Sequence, residues 1–157
     1  MYLFSYGSNM TTSRLEGRGI KPVAVAGVGF LENWRISFNK VSKKNPGTGF
    51  ANISPFWGSR VFGVIFGIKD EDIKTLDRFE GYPTHYQRTV LRVNWAPDPT
   101  AVYDCVTYIA NPEWTSDMPL RVTDEYATHV RNGLNEHVKK YSADYVQSVN
   151  EIIDNVI

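Results

Sequence analysis

The sequence contains little cysteine, no excess of either charge and no long apolar run. Cys105 is the only cysteine among 157 residues, which excludes an internal disulfide and every metal site built from several cysteines. There are 17 basic and 17 acidic residues, so the formal net charge is zero. Because proteins that bind nucleic acid usually carry a basic excess, this balance argues against a nucleic-acid partner. No window of about 18 apolar residues exists, so no membrane-spanning helix is predicted.

Metal-binding and secretory signals are also missing. His85, His129 and His137 share no ligand spacing that is typical of a metal site. Cys105 alternates with apolar residues in a predicted strand, which favours a buried small hydrophobic side chain over a nucleophile. Residues 1–9 contain polar turn residues and no basic leader, so we expect no signal peptide and a cytoplasmic protein.

The chain length and a hydrophobic content of 42% predict a single domain over residues 1–157. Strands are predicted at 2–5, 23–30, 34–39, 51–53, 61–68, 89–94 and 101–109, with a turn at Glu32–Asn33. Helices are predicted at 69–80, 123–132 and 143–155, besides a short one over 11–16. This order predicts a mixed α+β domain, whose strands can curl into a small barrel, although periodicity does not establish closure. The Pro- and Gly-containing segment 42–49 is predicted to be a surface loop in which Lys43 and Lys44 are solvated.

The first informative motif is Tyr6-Gly7-Ser8-Asn9, which directly follows the first predicted strand. Gly7 permits a tight turn, and the helix after it is predicted to begin with a cap at Ser13 or at Asn9. Backbone N–H groups that gather at such a turn favour a carboxylate, a phosphate or a developing oxyanion. The same residues are also common in ordinary turns, and no lysine stands at the spacing of a phosphate-binding P-loop.

The second informative residue is Glu80, at the end of the predicted helix over 69–80. Ile73, Leu76 and Phe79 share one helical face, and Gly81 is a typical helix stop. Glu80 lies on the same face and in the last turn, where burial and the helix dipole both oppose ionisation. Its pKa should therefore rise towards neutral, which suits a group that accepts and returns a proton. The alternative is that Glu80 points past the helix end into water.

Together these stretches resemble the signatures of the γ-glutamylcyclotransferase-like superfamily. The Tyr6–Asn9 segment is similar to the first signature loop, and Leu76–Gly81 followed by Tyr86 is similar to the second. Residues 50–53 and 61–68 also fall at matching places, as does Tyr126 before a helix that ends near Gly133. The resemblance extends from residue 2 to residue 140.

The resemblance implies a small mixed β-barrel with flanking helices. It implies that Glu80 is the catalytic acid/base. It also implies that six other residues of these motifs bind the substrate: Tyr6, Gly7, Ser8, Asn9, Tyr86 and Tyr126. The implied reaction converts a γ-glutamyl amino acid, peptide or amine to 5-oxoproline and a free amine, without a cofactor or a metal. The Tyr-Gly-Ser-Asn form is more similar to the enzymes for γ-glutamyl amino acids, but Tyr82 and Pro83 leave the identity of the leaving amine open.

The expected partner is therefore a small γ-glutamyl molecule. We expect no nucleic-acid partner and no membrane association, and we expect the protein to be a monomer or a homodimer. A second hypothesis is a non-catalytic module on the same fold that binds a small molecule or a protein. Function resides in the site and not in the fold, so the two hypotheses differ in whether Glu80 and the Tyr6–Asn9 turn carry out chemistry.

Overall fold

The computed structural model describes all residues 1–157 as five strands and four α-helices. The strands are β1 (Tyr2–Ser5), β2 (Ala24–Val41), β3 (Gly49–Gly67), β4 (Tyr86–Trp95) and β5 (Asp98–Ala110). The helices are α1 (Thr12–Gly17), α2 (Ile73–Glu80), α3 (Asp124–Gly133) and α4 (Ala143–Asp154). Short 3₁₀ turns occur at Asp70–Asp72 and Pro112–Trp114, and a π-helical turn over Leu134–Val138 extends α3.

The five strands close into a barrel in the order β1-β3-β2-β4-β5. All neighbouring pairs are antiparallel except β1 and β5, which run parallel and pair Tyr2 with Cys105 and Leu3 with Val106. This arrangement confirms the predicted α+β class and the small mixed barrel with flanking helices. No helix has the length and the hydrophobicity needed to cross a membrane.

Two of the predicted strand breaks are wrong, because β2 and β3 are each one long strand. The predicted turn at Glu32–Asn33 is a bulge in β2, where Asn33 adopts a left-handed φ of 62°. Its side-chain Oδ1 accepts a hydrogen bond of 3.0 Å from the N–H of Gly58 on β3. Asparagine tolerates this backbone conformation in bulges as well as in turns, so the local sequence does not distinguish the two.

The predicted helix boundary signals are confirmed in α2 and α4 but not in α1. Gly81 ends α2 with a left-handed φ of 66°, and Ser142 caps α4 as predicted. The predicted caps of α1 at Ser13 and Asn9 are wrong. Thr11 caps α1 instead, because its side-chain oxygen accepts a 3.2 Å hydrogen bond from the N–H of Arg14.

The core fills the barrel interior and the space beneath the helices with 33 buried apolar residues. Residues 61–68 of β3 and of its extension are all buried, which confirms the prediction of a strand covered on both faces. Cys105 is fully buried in β5, and burial raises the pKa of its thiol to about 12. The thiol is therefore a small hydrophobic core group, as predicted.

We predict that Gly63→Ala lowers the free energy of unfolding by roughly 1–3 kcal/mol. A Cβ at residue 63 would lie 2.3 Å from the carbonyl oxygen of Ser5, so β1 and β3 would have to separate. Gly17→Ala is the matched control, because nothing lies within 4 Å of its added Cβ. Urea unfolding followed by tryptophan fluorescence measures both changes. Equal effects of the two substitutions would contradict the close approach of β1 to β3.

Candidate active site

A cavity of about 440 Å³ lies where the turn after β1 meets the end of α2. Its walls also include residues of α1, the β2–β3 loop and α3. All seven residues predicted for the site line it: Tyr6, Gly7, Ser8, Asn9, Glu80, Tyr86 and Tyr126. Segments that are distant in the sequence thus meet around one space.

Glu80 faces this cavity and does not point past the helix end into bulk water. The amide Nδ2 of Asn9 donates a 3.1 Å hydrogen bond to Oε1 of Glu80. Because Gly81 ends α2 in a left-handed conformation, the chain turns away and leaves the Glu80 side chain on the cavity wall. Glu80 retains partial exposure since it borders an open cavity.

Burial raises the pKa of the Glu80 carboxyl group above its ordinary value. Arg18 opposes this rise most strongly, followed by the Asn9 hydrogen bond, Lys40 and Arg14, all of which favour the ionised form. Burial outweighs them, so the carboxyl group holds its proton to a higher pH than an exposed glutamate does. The predicted direction of the shift is therefore found, and such a group can exchange protons closer to neutral pH.

The turn formed by Gly7, Ser8 and Asn9 offers main-chain donors at the same cavity. None of the three backbone N–H groups donates a hydrogen bond within the chain. A Cβ on Gly7 would lie 3.0 Å from Cβ of Ala51 and 3.2 Å from the hydroxyl of Tyr126, so glycine allows the close packing here. Unpaired N–H groups at a turn can bind a carboxylate or stabilise an oxyanion.

The three predicted tyrosines differ in what their hydroxyl groups do. Tyr6 donates to the carbonyl oxygen of Tyr108 at 2.5 Å, and Tyr86 donates to that of Ala51 at 2.7 Å. The hydroxyl of Tyr126 instead accepts a 3.0 Å hydrogen bond from the N–H of Ala51. The protons of Tyr6 and Tyr86 are thus engaged by main-chain carbonyls, whereas that of Tyr126 is not committed to a carbonyl group.

Burial keeps these phenols neutral. It raises the pKa of Tyr126 to about 12 and the pKa values of Tyr6 and Tyr86 well above their ordinary range. Tyr126 therefore remains a hydrogen-bond donor throughout the physiological range.

Asp77 anchors α2, the helix that ends in Glu80, to the barrel. Its Oδ1 accepts a 2.7 Å hydrogen bond from the hydroxyl of Tyr108 on β5, and its Oδ2 pairs with Arg88 on β4. Asp77 lies one turn before Glu80 in α2, so these contacts limit how the end of the helix can move.

The sequence did not reveal the positive charge of the cavity. Its lining contains one carboxylate, Glu80, and six basic residues: Arg14, Arg18, Lys40, Lys43, Lys44 and Arg78. Lys43 and Lys44 are exposed as predicted, but they border the cavity and are not merely solvated loop charges. A balanced net charge carries no information about this local imbalance.

No group of three or more histidine, cysteine, aspartate or glutamate side chains is arranged to hold a metal ion.

The prediction that Phe79 lies on the buried face of α2 is wrong. Its side chain is 53% exposed at the cavity rim, and the guanidinium carbon of Arg18 lies 4.7 Å from the centre of its ring. Leu76 is fully buried as predicted. The helix meets the core only along a narrow strip, and its last turn borders the cavity, so helical periodicity overstates the buried face.

Known proteins that resemble this chain share the segments that contain these motifs. A family model described as "Gamma-glutamyl cyclotransferase, AIG2-like" matches residues 3–128, which include the Tyr6–Asn9 turn, Glu80 and Tyr126. A curated protein from Bos taurus named gamma-glutamylaminecyclotransferase is 36% identical over 84 residues, which are 51% of this chain and 47% of that protein. The chain is thus matched to about half the length of this relative.

Two solved structures show the shared fold. One called gamma-glutamyl cyclotransferase is 21% identical with a TM-score of 0.79, over 96% of this chain and 86% of its own. YkqA from Bacillus subtilis is 18% identical with a TM-score of 0.83, over 99% of this chain and 55% of its own. The family match covers most of the sequence, and it confirms the resemblance inferred from the two motifs: this chain belongs to the gamma-glutamyl cyclotransferase, AIG2-like family.

Proposed function

We propose that the protein is a γ-glutamylcyclotransferase that releases 5-oxoproline and a free amine from a γ-glutamyl compound. The observation that carries this proposal is the Glu80 carboxyl group, held by Asn9 on the wall of a cavity that also exposes the unpaired N–H groups of residues 7–9. Family membership and the name of the Bos taurus relative support the same reaction.

In the proposed reaction the substrate supplies its own nucleophile. The nitrogen of the α-amino group attacks the γ-carbonyl carbon, and the new C–N bond closes a five-membered ring. The C–N bond to the leaving amine then breaks. One proton leaves the attacking nitrogen and one is added to the leaving nitrogen, so atoms balance. Since both reacting groups belong to one molecule, the main task of the protein is to fold the substrate and hold it in place.

Glu80 performs both proton transfers in this proposal. Its ionised carboxylate accepts the proton from the attacking amine, and the resulting acid returns it to the leaving nitrogen. A raised pKa suits the second step because it makes the protonated form accessible near neutral pH. Arg18, Lys40 and Arg14 suit the first step because they favour the ionised form.

The donors opposite Glu80 stabilise negative charge. The N–H groups of Gly7, Ser8 and Asn9 hold the α-carboxylate of the substrate or the oxyanion that develops on the γ-carbonyl oxygen. Tyr126 adds a neutral hydroxyl donor beside this turn. Tyr6 and Tyr86 shape the cavity and hold its wall to the barrel through their bonds to main-chain carbonyls.

We predict that Glu80→Gln lowers the turnover rate by about 10²- to 10⁴-fold, because glutamine cannot transfer a proton. The variant keeps its fold, since the amide oxygen can still accept from Asn9. 5-Oxoproline is measured by mass spectrometry after incubation with γ-glutamyl amino acids, peptides and amines. Glu71→Gln, at an exposed position outside the cavity, is the control and should keep full activity.

Full activity of Glu80→Gln would remove Glu80 from the mechanism. If the wild-type protein binds a γ-glutamyl compound and releases no 5-oxoproline from any member of the panel, the non-catalytic binding module becomes the better account.

We predict that Glu80→Gln also increases thermal stability, and that the increase grows with pH. A folded-state pKa raised by burial means that Glu80 contributes fully to stability below the unfolded-state pKa of about 4.3. That contribution is lost as the pH rises through the folded-state pKa, whereas glutamine does not titrate. Melting temperatures of both proteins between about pH 4 and pH 8 measure the difference. A difference that shrinks with rising pH would show that the carboxylate is stabilised, not disfavoured.

We predict different effects for two tyrosine substitutions. Tyr126→Phe removes the uncommitted donor and the acceptor of the Ala51 N–H, so kcat/KM should fall by about tenfold or more, with a stability loss of about 1–3 kcal/mol. Tyr86→Phe removes a hydroxyl already bonded to the Ala51 carbonyl, so it should reduce stability with less effect on kcat/KM. Equal kinetic losses in the two variants would assign both tyrosines a structural role only.

A further inference from the structure

Lys40 is a buried cation on the cavity wall. It lies near the end of β2, only 3% of its surface is exposed, and it lines the cavity. Its Nζ is 5.2 Å from the ring centre of Trp114, 5.5 Å from that of Tyr86 and 5.7 Å from that of Phe50. These ring faces attract an ammonium group and fix its place without neutralising its charge.

Glu80 is the carboxylate of the cavity that acts on Lys40, but it forms no direct ion pair with this residue. Lys40 takes part in none of the salt bridges of the chain. Its Nζ donates one hydrogen bond, of 2.7 Å, to the carbonyl oxygen of Val41, although an ammonium group has three donors. Burying a charge without a direct partner is unfavourable, and burial lowers the pKa of Lys40 although Glu80 opposes this change. A buried cation with free donors on a cavity wall is suited to receive an anion.

Five of the six basic residues of the cavity fall into two groups on different segments, and the sixth, Arg78, lies in α2. Arg14 and Arg18 belong to α1 and the residue that follows it, whereas Lys40, Lys43 and Lys44 belong to the end of β2 and the next loop. Burial lowers the pKa of His85, and the charges of Lys40 and Lys43 lower it further, so these two lysines act on the same ring. His85 stacks on Trp114 with 4.0 Å between ring centres and also lines the cavity.

Two cationic groups around one cavity suit a substrate with two negative ends. Every γ-glutamyl compound has one carboxylate, at its α-carbon, and the turn at residues 7–9 already provides donors for it. A second carboxylate is present only when the leaving amine belongs to an amino acid or a peptide. An aliphatic amine offers Lys40 no anion, and an amine with a second positive charge is repelled by it.

We propose that Lys40, assisted by Lys43 and Lys44, binds the carboxylate of the leaving group, so that the substrates are γ-glutamyl amino acids or peptides and not γ-glutamylamines. This inference rests on the proposed function. It adds a specificity-determining subsite that the sequence motifs do not contain, because Lys40 lies outside both of them.

The test compares three compounds: γ-glutamyl-alanine, γ-glutamyl-alaninamide and γ-glutamyl-ethylamine. The first two have nearly the same size and differ in one charge. We expect the wild-type protein to prefer the acid over the amide by about tenfold or more in kcat/KM. Lys40→Met keeps an unbranched side chain without the charge and should reduce the preference below about threefold. Lys40 also acts on Glu80, and a loss from that cause lowers kcat/KM for both compounds equally and cancels in their ratio. Lys74→Met, at an exposed position outside the cavity, is the matched control and should keep the preference.

Equal kcat/KM for the acid and the amide in the wild-type protein would overturn this inference and leave the proposed function intact. Release of 5-oxoproline from none of the compounds would instead overturn the proposed function. In that event calorimetric binding decides, since tighter binding of the acid that depends on Lys40 supports the subsite and equal affinities overturn it.

A second variant tests the subsite even if Lys40→Met does not fold. Lys43→Ala combined with Lys44→Ala changes only exposed loop positions. It should lower the preference for the acid by about threefold at low salt and by less at high salt, because exposed charges are screened. If Lys40→Met does not fold, an unchanged preference in the double variant at low salt would overturn the subsite.

Discussion

The hydrogen bond from Asn9 to Glu80 joins segments that are 71 residues apart, and the cavity depends on it. One end of the bond follows β1, where Gly7 packs against Ala51 without room for a side chain. The other end is the last residue of α2, which Gly81 terminates. Each segment alone is an ordinary turn or helix end. Their contact places a partly buried carboxyl group beside unpaired main-chain donors, and this is the combination that proton transfer next to a developing anion requires.

The electrostatics of the cavity balance two opposing effects on Glu80. Burial favours the neutral acid, whereas Arg18, Lys40 and Arg14 favour the carboxylate. If burial acted alone, the group would give up its proton with difficulty; if the cations acted alone, it would not take one up near neutral pH. The surplus of basic side chains therefore has two effects: it limits the rise in the pKa of Glu80, and it leaves positive charge available for a ligand.

The sequence alone was sufficient to find the residues that break local rules. Glu80 stands out because its position puts a carboxylate on an apolar helical face, and the turn stands out because Gly7 and two small polar residues follow a strand. What the sequence could not show is how distant segments meet. The basic residues of the cavity come from α1, β2, a loop and α2, so neither net charge nor spacing reveals their convergence. The prediction for Phe79 is wrong because the spacing of apolar residues gives a direction around the helix but not what lies in that direction.

The barrel closes at the parallel pair of β1 and β5, and the single cysteine lies at that seam opposite Tyr2. A thiol that is fully buried there reacts with an alkylating reagent only when the two strands part. The labelling rate of Cys105 is thus a built-in reporter of seam opening, free of competing thiols because the chain has no other cysteine. Since the cavity-lining turn begins two residues after β1 ends, that reporter would also sense whether an occupied cavity holds the first strand in place.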